Sequence, residues 1–128
     1  MNPKPKKPNY RVLPLPRVQQ DALKLLSRAQ LHEGIRLARM LSFYPAVPEL
    51  DIERCGLGYE LRVEHPVINK QGWLRAIFWI HDKSKTIYVV DLFWKKTNRI
   101  TTADSERINY RIRRLMLQLN AGASPWGG

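Results

Sequence analysis

The spacing of apolar residues changes near the middle of this chain. Between residues 17 and 44 they recur every three or four positions, beginning with Val18, Ala22 and Leu25, which is typical of amphipathic helices. From Tyr59 onward, apolar and polar residues alternate through three runs, as in strands with one buried face. Helices and strands that occupy separate stretches of sequence predict an α+β domain.

The expected elements follow in the order strand, helical hairpin, three strands and helix. Pro14 restricts the first strand to a sheet edge. Gly34 is the expected break in the hairpin, with a single weakened long helix as the alternative. Residues 45–58 are expected to form a loop, and Thr101 or Thr102 to cap the last helix. The expected strands span residues 10–15, 59–64, 74–81 and 86–93, the last three joined as an antiparallel meander by turns at 66–72 and 82–85.

The length of 128 residues suits one small domain. We expect a flexible basic arm at 1–9, rich in lysine and proline, a single domain at 10–120 and a flexible tail at 121–128. No apolar run follows the basic N-terminus, so we expect no secretory signal and a cytoplasmic location. The lone cysteine, Cys55, and three histidines without metal-ligand spacing predict no disulfide, no metal and no cofactor.

The charge favours a polyanionic partner. The chain has 22 lysines and arginines against 11 aspartates and glutamates, a net charge of +11. Such an excess favours nucleic acid, with an acidic protein or an anionic membrane as rivals, and a merely solvated basic surface as the alternative without a partner. The residues expected to contact RNA phosphates are Lys4, Lys6, Lys7, Arg99, Arg107 and Arg111.

Four segments resemble the RelE superfamily of bacterial toxins, most closely its HigB-like and phage Gp49-like branch. Residues 58–62 read Gly-Tyr-Glu-Leu-Arg, and residues 74–78 read Leu-Arg-Ala-Ile-Phe. Residues 87–94 are followed by Lys-Lys-Thr, and a capped helix starts near Thr102. The resemblance implies a RelE-like fold in a toxin of a toxin–antitoxin pair, and a cognate antitoxin, a small helix-turn-helix protein, as its partner. It further implies a ribosome-dependent mRNA endoribonuclease, which cuts by attack of the 2′-OH on the phosphate without a metal.

Strand alternation places Glu60 and Arg62 on one face of their strand. If Arg75 on the next strand shares that side, the three converge, and Lys95 and Lys96 approach from the end of the last strand. The resemblance makes Arg75 the phosphate-binding arginine and Arg62 and Lys96 basic positions of the catalytic site; Glu60 is a candidate general base. The alternative for Glu60 and Arg62 is a surface cross-strand charge pair.

Two functions compete with RNA cleavage. A minority of the family poisons DNA gyrase, as ParE-like toxins do, and a third possibility is a non-catalytic RNA- or DNA-binding protein. Several members use a tyrosine or histidine shortly after the last strand, but residues 97–106 contain neither. Tyr110 or His81 would substitute only if folding brings one of them close.

Overall fold

The structure, a computed structural model, describes residues 7–63, 73–95 and 100–125. None of the helices in these ranges combines the length and apolar character that a membrane span requires. The predicted boundaries after residues 9 and 120 stay predictions. The elements are β1 (Arg11–Pro14), α1 (Pro16–Leu25), α2 (Arg28–Leu41), β2 (Asp51–Cys55), β3 (Gly58–Val63), β4 (Trp73–His81), β5 (Thr86–Lys95) and α3 (Thr102–Asn120).

Five strands form one sheet in the order β1-β5-β4-β3-β2. Strand β1 lies at the edge, as Pro14 predicts, and pairs with β5 in parallel. The other neighbours are antiparallel, so the meander has four strands rather than three. The loop predicted at 45–58 was wrong over Asp51–Cys55, since this charged, largely exposed segment has no apolar alternation. It becomes a strand by pairing with β3 through a tight turn, in which Gly56 has a φ of 56°.

The two N-terminal helices separate at Leu26–Ser27, not at Gly34. Ser27 caps α2: its hydroxyl accepts from the backbone of Gln30, whose side chain accepts from the Ser27 backbone. This reciprocal pair satisfies two amide groups that a helix start leaves without partners. Gly34 therefore lies inside α2. At α3 the equivalent cap is Thr101, one of the two residues predicted.

Helices cover both faces of the sheet. Leu41 of α2 packs with Leu61 and Phe78 on one face, whereas Ile108 and Ile112 of α3 pack on the other face. The sequence predicted that only one face of β3 is buried. Because helices pack on both faces of the sheet, four of the six residues of β3 are buried. Polar residues of β3 and β4 that point toward α3 consequently lie inside the protein. On α3 itself, Ile108, Ile112 and Leu115 are buried, whereas Met116 is 37% exposed.

Gly58 is required where α3 crosses the sheet. A Cβ at this position would lie 2.6 Å from the carbonyl oxygen of Phe78 and 2.9 Å from Cδ1 of Ile112. We therefore expect Gly58→Ala to lower the free energy of unfolding by about 1–3 kcal/mol. Gly34→Ala is the control: its Cβ meets nothing within 4 Å, and alanine should stabilise the helix by about 1 kcal/mol. Urea denaturation measures both, and equal stability of the two variants would contradict this view of the packing.

Candidate active site

Among the described residues, ten charged side chains lie on the α3 face of the sheet, in two networks of ion pairs. The strand register brings them together, because Arg62 pairs with Arg75 and Glu60 with Ile77 across β3 and β4. The Glu60 network consists of Asp51, Glu53, Glu60, Arg62 and Arg75. The Asp104 network consists of Asp91, Lys95, Asp104, Arg107 and Arg111.

The centre of the first network is a buried ion pair. Nη1 of Arg75 lies 2.8 Å from Oε1 of Glu60, and 0% and 4% of the two side chains are exposed. The two atoms are paired by charge without hydrogen-bond alignment. Nε of Arg62 lies 3.8 Å from the same oxygen, and Arg62 also pairs with Glu53 at the sheet edge. The predicted convergence of Glu60, Arg62 and Arg75 is thus present.

Burial raises the pKa of Glu60, although the positive charges of Arg75 and Arg62 act in the opposite direction. Desolvation disfavours the charged carboxylate more than the two guanidinium groups favour it. Burial, and then the charge of Glu60, also raises the pKa of the neighbouring Cys55 thiol. A carboxyl that takes up a proton more readily than an ordinary glutamate has the property required of a general base.

A polar cleft of about 260 Å³ opens beside this pair, between the β2–β3 hairpin and the start of α3. Glu60 and Arg62 line it, together with Arg54 and Ser105. The hairpin turn is fixed to the helix, since the backbone amide of Leu57 donates a 2.9 Å hydrogen bond to Oδ1 of Asn109. The cleft therefore brings the buried acid Glu60 together with Arg62 and Arg54, whereas Arg75 lies behind Glu60 with no exposed surface.

The second network fixes the start of α3. Lys95 Nζ lies 2.6 Å from Oδ2 of Asp104, which also accepts from the Thr101 backbone at 3.1 Å, and Arg107 Nη1 lies 3.1 Å from Oδ1. Burial would raise the pKa of Asp104, but the hydrogen bonds from Lys95, Thr101 and Arg107 hold it well below its ordinary range. Lys95 is thereby committed to a helix cap in this structure.

Asp91 anchors the middle of α3. Arg107 Nε lies 2.9 Å from its Oδ2 and Arg111 Nη1 lies 2.5 Å from its Oδ1. Asp91 follows a β-bulge, where the β4–β5 register shifts and leaves Val90 as an extra residue. Asp91 was not predicted as a site residue, although a lone acid within the apolar run of residues 86–94 indicates a charge that needs a partner inside the protein.

The ten residues contribute no net charge. They comprise five of the 22 basic and five of the 11 acidic residues, so the other 17 basic and six acidic residues carry the whole excess of +11. Arg107 and Arg111, predicted to bind RNA, each pair with Asp91. An incoming phosphate would have to compete with a carboxylate for any of these cations.

The other predicted residues that the structure describes are not in the cluster. Lys7 is exposed and lines a groove with Arg36 and Arg39 near the end of α2. Tyr110 is 62% exposed on the side of α3 that points away from the sheet, and Nδ1 of His81 lies 2.6 Å from Oγ of Ser84 at the far end of β4. Within the described ranges, no group of three or more potential ligands is arranged for a metal ion. Lys4, Lys6, Lys96 and Arg99 lie outside the described residues.

The buried pair predicts a large, correctable loss of stability. Arg75→Met should lower the free energy of unfolding by about 3–5 kcal/mol, because it leaves the Glu60 carboxylate without its main counter-charge. Adding Glu60→Leu should restore most of that loss, since an apolar pair avoids the desolvation cost. The matched surface substitution is Arg36→Met, whose partner is Glu33 and whose effect should be below about 1 kcal/mol. Denaturant titration of the wild type and these three variants measures this, and a wild-type stability of Arg75→Met would contradict it.

Asp104 predicts a dependence of stability on pH. Its folded-state pKa is lowered, so its stabilisation is fully present above the unfolded value of about 3.9 and is lost as the pH falls toward the folded-state value. Asp104→Asn should therefore lower the free energy of unfolding by about 2–3 kcal/mol at pH 7. The difference in stability between this variant and the wild type should become smaller below about pH 4. Thermal unfolding across this range tests it, with the exposed Glu106→Gln as control; a difference that is constant with pH would be inconsistent with the ion pairs.

Comparison with known proteins finds similarity in fold. No protein-family model matches the sequence, and no curated protein matches it. Among solved structures, the chain resembles a free-state arginine-to-alanine double mutant of the Escherichia coli toxin RelE, with a TM-score of 0.54 and 10% sequence identity. The match covers 84% of this chain and 98% of RelE. At this identity the likeness extends to the fold: the chain has a RelE-like fold.

Proposed function

We propose that this protein is a toxin of a toxin–antitoxin pair that cleaves RNA at the polar cleft. The observation that carries the proposal is the position of Glu60, a buried carboxyl with a raised pKa that lines the cleft beside Arg62. A base next to a guanidinium is the pair that attack of a 2′-OH on a phosphate needs. The RelE-like fold supports the same activity.

In the proposed reaction Glu60 accepts the proton of the ribose 2′-OH while the 2′ oxygen attacks the adjacent phosphorus. The bond to the 5′ oxygen breaks, giving a 2′,3′-cyclic phosphate, and the leaving 5′ oxygen takes a proton from solvent water to become a 5′-OH. Arg62 stabilises the charge on the phosphorane through its planar fork. We assign Lys96 to the positive field around the phosphate, whereas Lys95 holds the start of α3 through Asp104. We assign no general acid among the described residues.

Arg75 has a different proposed part from the one the sequence suggested. A residue that binds the substrate phosphate must be accessible to the substrate, whereas the Arg75 side chain is fully buried behind Glu60. We therefore propose that it orients Glu60 and limits the rise in the pKa of that carboxyl. The basic residues outside the two networks, with Lys4, Lys6, Lys7 and Arg99 among them, would supply the long-range attraction for RNA.

We further propose mRNA on the ribosome as the substrate, in the cytoplasm, and a small helix-turn-helix antitoxin as the partner. A second candidate is a non-catalytic nucleic-acid-binding protein. It is favoured by one observation: Arg62, Arg75, Lys95, Arg107 and Arg111 each already have a carboxylate partner. The gyrase-poisoning alternative requires no such cluster and is separated by the experiment below.

The test is induced expression in a bacterium without antitoxin. We expect translation to stop before replication and mRNA fragments with 5′-OH ends to accumulate. Arg62→Ala should slow cleavage by about 10²-fold or more, whereas Arg113→Ala, an equal loss of charge on the outer face of α3, should leave the rate unchanged. In single-turnover assays the rate should rise with pH through a pKa above the ordinary glutamate value of about 4.3.

Three results would count against the proposal in different ways. Early DNA breaks with normal translation would indicate gyrase. RNA binding without new 5′-OH ends would indicate the non-catalytic protein. Unchanged cleavage by a well-folded Arg62→Ala protein would remove the assignment of the cleft.

A further inference from the structure

The guanidinium of Arg62 is surrounded by acids at the edge of the sheet. Of the residues that the structure describes, three have a carboxylate within ion-pair distance of it. Glu53 makes the closest contact, at Nη2, whereas Glu60 lies 3.8 Å from Nε and Asp51 lies 3.9 Å from Nη1. One carboxylate is enough to occupy the planar fork of an arginine, so this site contains more negative charge than the ion pair needs.

Glu53 lies directly opposite Glu60. The β2–β3 register pairs these two residues, and it pairs Asp51 with Arg62. Like charges at opposed positions of neighbouring strands destabilise the pairing, and the charges of Glu53 and Asp51 act with burial to raise the pKa of Glu60. An acid at position 53 therefore works against both the sheet and the ionised form of Glu60. Because exposed ion pairs add little stability, its contact with Arg62 does not explain this acid by folding alone.

Glu53 can leave Arg62 by rotation of its side chain. It lies on an edge strand, and 57% of its side chain is exposed, against 19% for Arg62 and 4% for Glu60. All three line the polar cleft. Rotation of Glu53 into solvent would free the guanidinium of Arg62 toward the cleft, while Glu60 keeps its contact with Arg75. Phosphates and carboxylates accept hydrogen bonds from the same guanidinium fork, so a phosphate could take the place that Glu53 leaves.

We infer that Glu53 is an internal competitor of the substrate phosphate: its carboxylate occupies the guanidinium of Arg62 until RNA displaces it, and strand β2 thereby sets the affinity of the cleft for RNA. The inference rests on the proposed function for the identity of the anion that displaces Glu53. Asp51, further from the same guanidinium, adds a weaker contribution. Exchanging one anion for another on Arg62 gains little by itself. Binding therefore needs further contacts along the RNA strand, and the cleft discriminates against mononucleotides.

The test measures binding apart from cleavage, with a labelled 2′-O-methyl RNA of about ten nucleotides, which has no 2′-OH and cannot react. In fluorescence anisotropy with the full chain, Glu53→Gln should bind it about tenfold more tightly, because the amide keeps the size of the side chain and removes the competing charge. Asp51→Asn should give a smaller gain. The matched control is Asp82→Asn, the same loss of one negative charge in an exposed turn at the far end of β4, which should change the affinity by less than about twofold.

A double variant tests whether the gain depends on Arg62. In the Arg62→Ala background, Glu53→Gln should improve binding by less than about twofold, since no guanidinium is left for the two anions to share. Denaturant titration should give Glu53→Gln a midpoint close to that of the wild type, because the lost ion pair is largely exposed on the Glu53 side.

Cleavage of an ordinary RNA provides a second readout. Under single-turnover conditions Glu53→Gln should reach half of its maximal rate at about a tenfold lower concentration of protein. The apparent pKa of its pH–rate profile should be lower than that of the wild type, since one of the charges that raise the pKa of Glu60 is gone. A merely structural ion pair would change neither quantity.

The inference is overturned if Glu53→Gln binds the oligonucleotide no more tightly than the wild type or the Asp82→Asn control, or if its gain is as large without Arg62. A lowered midpoint together with weaker binding would also overturn it, by showing that Glu53 supports the structure of the cleft. Tighter binding that depends on Arg62, with no cleavage by any variant, would support the competition and count against the proposed reaction, so the two failures are distinguishable.

Discussion

The Glu60–Arg75 ion pair exists because helices cover both faces of the sheet. Once α3 lies across β3 and β4, any charge on that side of the central strands needs a counter-charge within the protein. A buried pair of this kind costs about as much to desolvate as its attraction returns, so it adds specificity of arrangement more than net stability. It also holds Glu60 in a fixed position at the edge of the polar cleft, where burial raises the pKa of this carboxyl.

The Asp104 network serves the other requirement, which is the placement of α3 itself. Lys95 and Arg107 hold the first turn, and Arg107 together with Arg111 holds Asp91 beneath the middle of the helix. The guanidinium of Arg107 also lies over the ring of Phe93, 5.0 Å from its centre. Because Phe93 is paired with Arg75 across the sheet, the residues that fix the helix are adjacent to those that form the site.

Much of this arrangement was predictable from alternation alone. The period-two pattern correctly placed Glu60 and Arg62 on one face, and the condition that Arg75 shares their side is met in the structure. Pro14 correctly placed β1 at an edge. The alternation of apolar residues could not predict β2. An edge strand that is held by backbone hydrogen bonds to its neighbour does not need alternating apolar residues. The alternation also could not give the burial of Glu60, because that burial depends on α3 (Thr102–Asn120), which returns over the sheet from more than 40 residues later in the sequence. Ser27, not Gly34, separated the helices because a capping box stabilises a helix start more directly than a glycine disfavours a helix interior.

The bulge at Val90 has a further consequence for β5. Val90 and Asp91 are consecutive, yet Val90 lies in the core beneath α3 and Asp91 reaches the arginines of the same helix. On the N-terminal side of the bulge, Ile87 packs in the core on the other face of the sheet, with Leu41 of α2. Removing a single residue here would reverse the sides of everything before it, exchanging the layer that faces α2 with the layer that faces α3. A one-residue insertion or deletion, which a surface loop would tolerate, is therefore not tolerated at this point of β5. The number of residues in β5 is fixed by the two cores on opposite faces of the sheet together.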